Sequence, residues 1–176
     1  MNIKNEKCIL RNWKESDVPL LAVHANNKNI EMNLRDGFPI PYTSEDAAEF
    51  ISSVLKSDPV TVFAIEVNGE AAGSIGYFPK SNIYKFNAEI GYWLSEKYWG
   101  QGIMTEAVAS LTEYIFENTK LRRIYAEVFA KNSSSAKVLE KAGYTLEARI
   151  RNHIVKDGQM DDTLLYAIHK TDFENR

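Results

Sequence analysis

Within this chain of 176 residues, the stretch Tyr98-Trp99-Gly100-Gln101-Gly102-Ile103-Met104-Thr105-Glu106 holds the residue types best placed to do chemistry. Two glycines one residue apart let a backbone approach a ligand closely. Apolar residues at 103, 104, 107, 108, 111 and 115 mark a helix that begins directly after them. The first N–H groups of a helix have no partner within it and sit at the positive end of its dipole, so they face an anion such as phosphate or pyrophosphate. The same two glycines also suffice for a plain tight strand-to-helix turn, and alone they do not decide between the two.

Missing residues narrow the phosphate ligand. No Lys-Ser/Thr pair follows the glycines, so the lysine and the magnesium-binding hydroxyl of a nucleotide P-loop are absent. The dinucleotide fingerprint requires a third glycine where Thr105 stands. What remains is a pyrophosphate cradle made mainly of backbone, of the kind coenzyme A requires.

The elements that must position this cradle can be read from local signals. KCILRNW is strand-like, and Ser16-Asp17 offers N-cap chemistry for a helix carrying Leu20, Leu21 and Val23. NLRDGFPIPYT is irregular, broken by Gly37, Pro39 and Pro41, after which Thr43 or Ser44 caps a helix through Ala47, Phe50, Ile51, Val54 and Leu55. VTVFAIEV and EAAGSIGYF flank Asn68-Gly69 and read as a hairpin. Tyr84 to Leu94 reads as a long strand leading into the cradle. RRIYAEVFA is another strand, the helix from Ser133 to Ala142 stops at Gly143, and a second hairpin turns at Asp157-Gly158. The order β-α-α-β-β-β-α-β-α-β-β predicts a mixed α/β fold in one domain over residues 1–176, with about seven mostly antiparallel strands and about four helices.

Composition sets outer limits. Hydrophobic residues make up 44% and charged residues 26%, so the chain should bury a real core. Lys and Arg number 21 against 24 Asp and Glu, a net charge of −3, which argues against a phosphate-coating nucleic-acid binder. The single cysteine, Cys8, allows no intrachain disulfide and suits a reducing cytoplasm. No signal-like N-terminal stretch, membrane-length apolar run or metal-ligand spacing stands out, so we expect a cytoplasmic protein with no metal, membrane or nucleic-acid partner.

LRNWKESD, AEIGYWL, YWGQGIMTEA, the run Asn132-x-x-Ser135-x-x-Val138-Leu139-Glu140-Lys141-x-Gly143-Tyr144 and KDGQMDDTLLYAI together resemble the GNAT superfamily of acyl-CoA-dependent N-acyltransferases, in its RimJ/RimL-like branch. The resemblance spans nearly the whole chain. It implies the GNAT fold, with a central twisted sheet splayed in the middle, and acetyl-CoA as co-substrate. The pantetheine arm would lie along the strand ending at Trp93 and Leu94, and the pyrophosphate on Trp99, Gly100, Gln101, Gly102, Ile103, Met104 and Thr105. The superfamily pattern Gln/Arg-x-x-Gly-x-Gly/Ala is not fully met, because Trp99 and Met104 stand at its first and last places. Backbone bonds should survive those departures, with Trp99 packing beside the phosphates.

The resemblance also suggests catalytic residues. The tyrosine that many relatives use to protonate the departing thiolate is replaced by Leu139, whereas Ser135 matches a serine of the RimL-like branch. Ser135 is equally an ordinary helix starter, and Asn132 either caps that helix or bonds the pantetheine amides. Glu89 matches a carboxylate found in related polyamine and ribosomal-protein acetyltransferases, where a partly buried carboxylate could accept an ammonium proton directly or through water, or else it is a solvent-facing strand residue. The late-strand glutamate of RimL is replaced by Ile154, and strand alternation places the adjacent His153 on the opposite face. His24 and His169 read as surface or packed histidines. Arg35, Phe38 and Tyr42, with Asp36, are the candidate acceptor residues, or else they form a proline-braced surface loop.

The expected reaction is acetyl transfer to a primary amine, such as the N-terminal amine of a ribosomal protein. A polyamine or aminoglycoside-like acceptor, or a catalytically degenerate acyl-CoA sensor, is the alternative. The expected state is a monomer or a homodimer.

Overall fold

The computed structural model describes residues 2–175. Among these residues the elements are β1 (Asn2–Lys4), β2 (Ile9–Arg11), α1 (Val18–Ala25), α2 (Lys28–Glu31), α3 (Ser44–Leu55), β3 (Val62–Val67), β4 (Glu70–Pro79), β5 (Asn87–Leu94), α4 (Ile103–Asn118), β6 (Arg123–Phe129), α5 (Ser133–Lys141), β7 (Thr145–Lys156), β8 (Gln159–His169) and α6 (Lys170–Glu174). Hydrogen-bonded neighbours follow the order β1-β2-β3-β4-β5-β6-β8-β7 in one sheet. This is the mixed α/β architecture the sequence predicts, enlarged by β1, α2 and α6. Those three elements are three to five residues long, too short for a periodic pattern to mark them.

By contacts the chain divides into two compact units, residues 2–76 with 92–107 and residues 77–91 with 108–175. In the first unit β1 to β4 pair antiparallel, with Leu10 opposite Ile65 and Phe63 opposite Ile75. Asn68 and Gly69 both have positive φ (52° and 82°), as the two-residue hairpin turn requires. The core gathers Trp13, Leu21, Ala25, Tyr42, Ile51 and Val54. Helix α3 contributes Ala47, Ile51 and Val54 from one face, and each fully buried Ile, Leu or Val stabilises by about 1.5–3 kcal/mol relative to exposure. A capping box starts that helix, with Thr43 Oγ1 accepting from Asp46 N–H and Asp46 accepting from Thr43 N–H.

Two local expectations for these segments need correction. Asp17 is the N-cap residue of α1, but its carboxylate does not cap the helix. It accepts from Lys14 N–H (2.9 Å), closing the 3-10 turn before α1, and from Arg11 Nη1 (2.7 Å) and Nη2 (2.9 Å), a buried bidentate pair whose guanidinium also reaches Glu66. The strand expected from Tyr84 starts only at Asn87, because Asn82 takes a left-handed conformation (φ 56°) and a 3-10 turn spans Asn82–Tyr84.

In the second unit β5 and β6 pair in parallel, while β6, β8 and β7 pair antiparallel. Along β6, Ile124, Ala126 and Val128 are buried, as alternation demands. Asp157-Gly158 makes the expected hairpin turn with positive φ at both residues (51° and 75°). Helix α5 ends before Gly143 (φ 88°), and Tyr144 just beyond shares a 2.8 Å hydrogen bond with Thr112 of α4. Between Ile150 and Ile154 the β7 register shifts, with Asn152 at positive φ and its N–H donating to Asp162. The shift interrupts the alternation that was to orient His153, whose Nδ1 lies 3.0 Å from Thr163 Oγ1.

Candidate active site

The expected cradle falls at the junction of β5 and α4. Gly100 and Gly102 both have positive φ (75° and 77°), so the chain turns through conformations that other residues adopt only with strain. Ile103 and Met104 turn their side chains into the core, leaving backbone as what they offer a ligand. The residue before α4 is Gly102, which has no side chain to close the first turn. Trp99 is 44% exposed, and its indole N–H donates to Leu94 O (2.7 Å), folding the ring back over the end of β5. Gln101 is exposed and donates to Lys97 O, while Thr105 is half-buried on the first turn. The strand end itself is set by close approach: a Cβ on Gly73 of β4 would lie 2.5 Å from Trp93 O and 3.1 Å from Leu94 Cα.

The four residues leading into the cradle are each held by a side chain distant in sequence, and sequence reasoning missed them all. Ser95 Oγ lies 3.0 Å from His24 Nδ1 at the end of α1. Glu96 accepts from Asn27 Nδ2 (2.7 Å) and Asn29 Nδ2 (3.1 Å), which hold its carboxyl below the usual range. Lys97 Nζ and Tyr98 OH both donate to Glu70 (3.0 Å each). His24 Nε2 faces Glu70 at 3.4 Å without a hydrogen bond, and burial pushes the imidazole below its ordinary value. Of these groups His24, Asn27, Glu70, Ser95, Glu96 and Lys97 line a cavity of about 410 Å³ together with Leu20, Val23 and Asn26. His24 is thus the packed histidine the sequence suggested, engaged at the root of the cradle.

The candidate acceptor residues separate. Tyr42 is buried in the core, 7% exposed, and burial pushes its hydroxyl up to about 12. Phe38 is half-buried between Tyr42 (ring centroids 4.9 Å) and Trp93 (5.9 Å, edge-on), so an aromatic chain joins the irregular segment to the end of β5. Arg35 lies exposed on the same segment. The Cys8 thiol is buried and pushed up to about 11, which makes it no nucleophile.

In the second unit, parallel pairing of β5 with β6 stops at Glu89 opposite Tyr125, although β5 runs on to Leu94 and β6 to Phe129. Glu89 stands at that last pair with its side chain only 13% exposed, so it is not a freely solvated strand residue. It accepts from Lys80 Nζ (2.9 Å), and Lys80 also lies over the Tyr125 ring. That pairing raises the affinity of Lys80 for its proton. Asn132 Oδ1 accepts from Ser135 N–H (3.1 Å), so capping is realised, and Ser135 is half-buried on the first turn of α5. Leu139 is fully buried and offers no chemistry. His169 pairs with Glu147 on the surface. Among the described residues no cluster suited to a metal ion occurs, and no helix is long and apolar enough to cross a membrane.

Comparison with known proteins assigns the class. Residues 7–145 match a family described as the acetyltransferase (GNAT) domain, and the chain belongs to that family. It is 42% identical over 87 residues to the probable N-acetyltransferase YjcK of Bacillus subtilis, covering 49% of this chain and 48% of that protein. It is 32% identical over 106 residues to the ribosomal-protein-serine acetyltransferase of Escherichia coli, covering 60% of this chain and 59% of that protein. Among solved structures, RimL, a ribosomal alpha-N-protein acetyltransferase in complex with coenzyme A, superposes with a TM-score of 0.84 at 25% identity, covering 96% of this chain and 98% of that one. The resemblance to the RimJ/RimL-like branch therefore holds.

Proposed function

We propose that the chain transfers an acetyl group from acetyl-CoA to a primary amine, with the N-terminal amine of a ribosomal protein as acceptor. The carrying observation is the junction of β5 and α4. Two left-handed glycines, the second directly before α4 and without a side chain of its own, offer the N–H groups of 102–105 to a pyrophosphate, in a chain of the GNAT family. The backbone of Trp93 and Leu94 lies beyond the last β5–β6 pair and supports the pantetheine arm. Trp99 flanks the phosphates. Asn132 bonds the pantetheine through the atoms its cap leaves over.

The C–N bond forms as the thioester C–S bond breaks, so the amine must lose a proton and the thiolate must be tolerated or protonated. Glu89, hydrogen-bonded by Lys80, takes the amine proton through water. Ser135 hydrogen-bonds the departing sulfur. Arg35 and the open face of Phe38 contact the acceptor, with Tyr42 bracing Phe38 from the core. The ribosomal acceptor draws support from the Escherichia coli relative and the RimL structure.

Calorimetric titration with acetyl-CoA, followed by thiol release against N-terminal peptides, polyamines and aminoglycosides, tests each part. Binding with release on a ribosomal N-terminal peptide is expected. Release on polyamines alone refutes the acceptor, binding without release on any amine refutes the chemistry in favour of a sensor, and no binding refutes the cradle.

A further inference from the structure

The turn between β1 and β2 brings a cation to the cradle that no part of the local sequence announces. A Cβ placed on Gly102 would lie 2.8 Å from Lys7 Nζ, so the ammonium sits directly against the cradle backbone. Glu106, in the first turn of α4, accepts from the Lys7 backbone N–H (3.1 Å) and stands 3.6 Å from Nζ. The turn is held from within as well: Cys8 N–H donates to Asn5 Oδ1 (2.9 Å) and Asn5 N–H to Cys8 O (3.1 Å).

This placement is electrostatically odd in the protein alone. A helix N-terminus carries partial positive charge and disfavours a cation beside it. The ion pair with Glu106 offsets little, because both side chains are partly exposed (44% and 28%) and 3.6 Å is long for a charge-assisted hydrogen bond. An anion lying on the helix N–H groups would reverse the sign, since it would attract both the helix end and the ammonium. The P-loop lysine that the sequence lacks after Gly102 has a spatial counterpart arriving from a turn 99 residues upstream of Glu106.

We infer that Lys7 is a donor-binding residue whose ammonium contacts the pyrophosphate of acyl-CoA on the 102–105 backbone. The inference rests on reading that backbone as the pyrophosphate cradle. Glu106 positions Lys7 in the free protein and competes with the phosphates for its charge.

Calorimetric titration of CoA into the wild type and the variants Lys7→Met, Lys7→Arg and Glu106→Gln, at low and high salt, tests it. Lys7→Met is expected to weaken binding roughly fivefold or more and to flatten its salt dependence, whereas Lys7→Arg retains wild-type affinity within about twofold. Glu106→Gln is expected to tighten binding, because a competing carboxylate is gone. If Lys7 and Glu106 only pinned the turn to the helix, the two substitutions would weaken binding alike, and that result overturns the inference. So does a Lys7→Met protein that binds like wild type. With 3′-dephospho-CoA as probe the Lys7→Met penalty should persist; its disappearance would move the contact to the ribose phosphate. Wild-type protein that fails to bind CoA at all would instead refute the cradle itself.

Discussion

Two strand-to-helix junctions in this molecule use opposite solutions to the same problem. At β6 to α5, Asn132 closes the first turn with its own side chain, and the helix start is satisfied internally. At β5 to α4, Gly102 has no side chain, the preceding loop runs through two left-handed glycines, and Glu106 turns outward to Lys7. A junction closed by its own cap holds its first turn without outside help. One that starts after a glycine and is held by distant residues leaves its opening turn accessible to the anion proposed above.

The contrast can be broken most sharply at Gly102. Gly102→Val forces a branched side chain into a left-handed conformation and against Lys7, at a cost of about 2 kcal/mol or more, so CoA affinity should fall roughly thirtyfold in calorimetry. Next comes Ser135→Ala. If the hydroxyl serves the sulfur, kcat drops about tenfold with KM for acetyl-CoA little changed, whereas a helix-starter role lowers only the melting temperature. Smaller again, Asn132→Ala should cost about 1 kcal/mol in denaturant unfolding, the usual worth of an N-cap. A rise in KM for acetyl-CoA with unaltered stability would instead show that Asn132 serves the ligand.

The mildest test uses pH. Burial lowers the His24 value below 6.5 in the folded chain, so the unfolded chain binds the proton more readily. The stability His24 contributes is therefore complete above pH 6.5 and declines as pH falls through 6.5 toward the lower folded value. Hydrogen exchange between pH 7.5 and 5.5, corrected for intrinsic rates, should rise at 95–104 and not at 130–135. Near the second junction Asp162 lies below the usual carboxylate range, held first by Asn152 N–H and then by Arg149, and stays ionised throughout. Equal loosening at both junctions would remove His24 as the cause.

Several elements were legible because their determinants lie within a few residues of one another. Asn68-Gly69 and Asp157-Gly158 dictate hairpins through the φ values they tolerate, Thr43 and Asp46 cap each other three residues apart, and Gly143 stops α5. The turn from β5 into α4 was legible for the same reason, since glycine spacing and a helical stripe are both local. Asp17 shows the limit: its type and place predicted a cap on α1, but its carboxylate is taken up by Arg11 at the end of β2 and by the Lys14 N–H. Glu89 is a similar case, because its pairing with Lys80 depends on how the segment after β4 folds back beside β5.

The sequence alone placed this protein as a mixed α/β chain of the GNAT kind, with a glycine-broken turn into a helix after residue 94. What holds that turn became visible only in the folded chain. His24, Asn27, Asn29 and Glu70 at its root, and Lys7 over Gly102, come from turns and helix ends that carry no periodicity and no motif. Their side chains meet the cradle because the core brings those ends together. Turn and cap preferences act between near neighbours along the chain, but the partners of a charged or polar group are set by packing, which the order of residues encodes only through the whole fold.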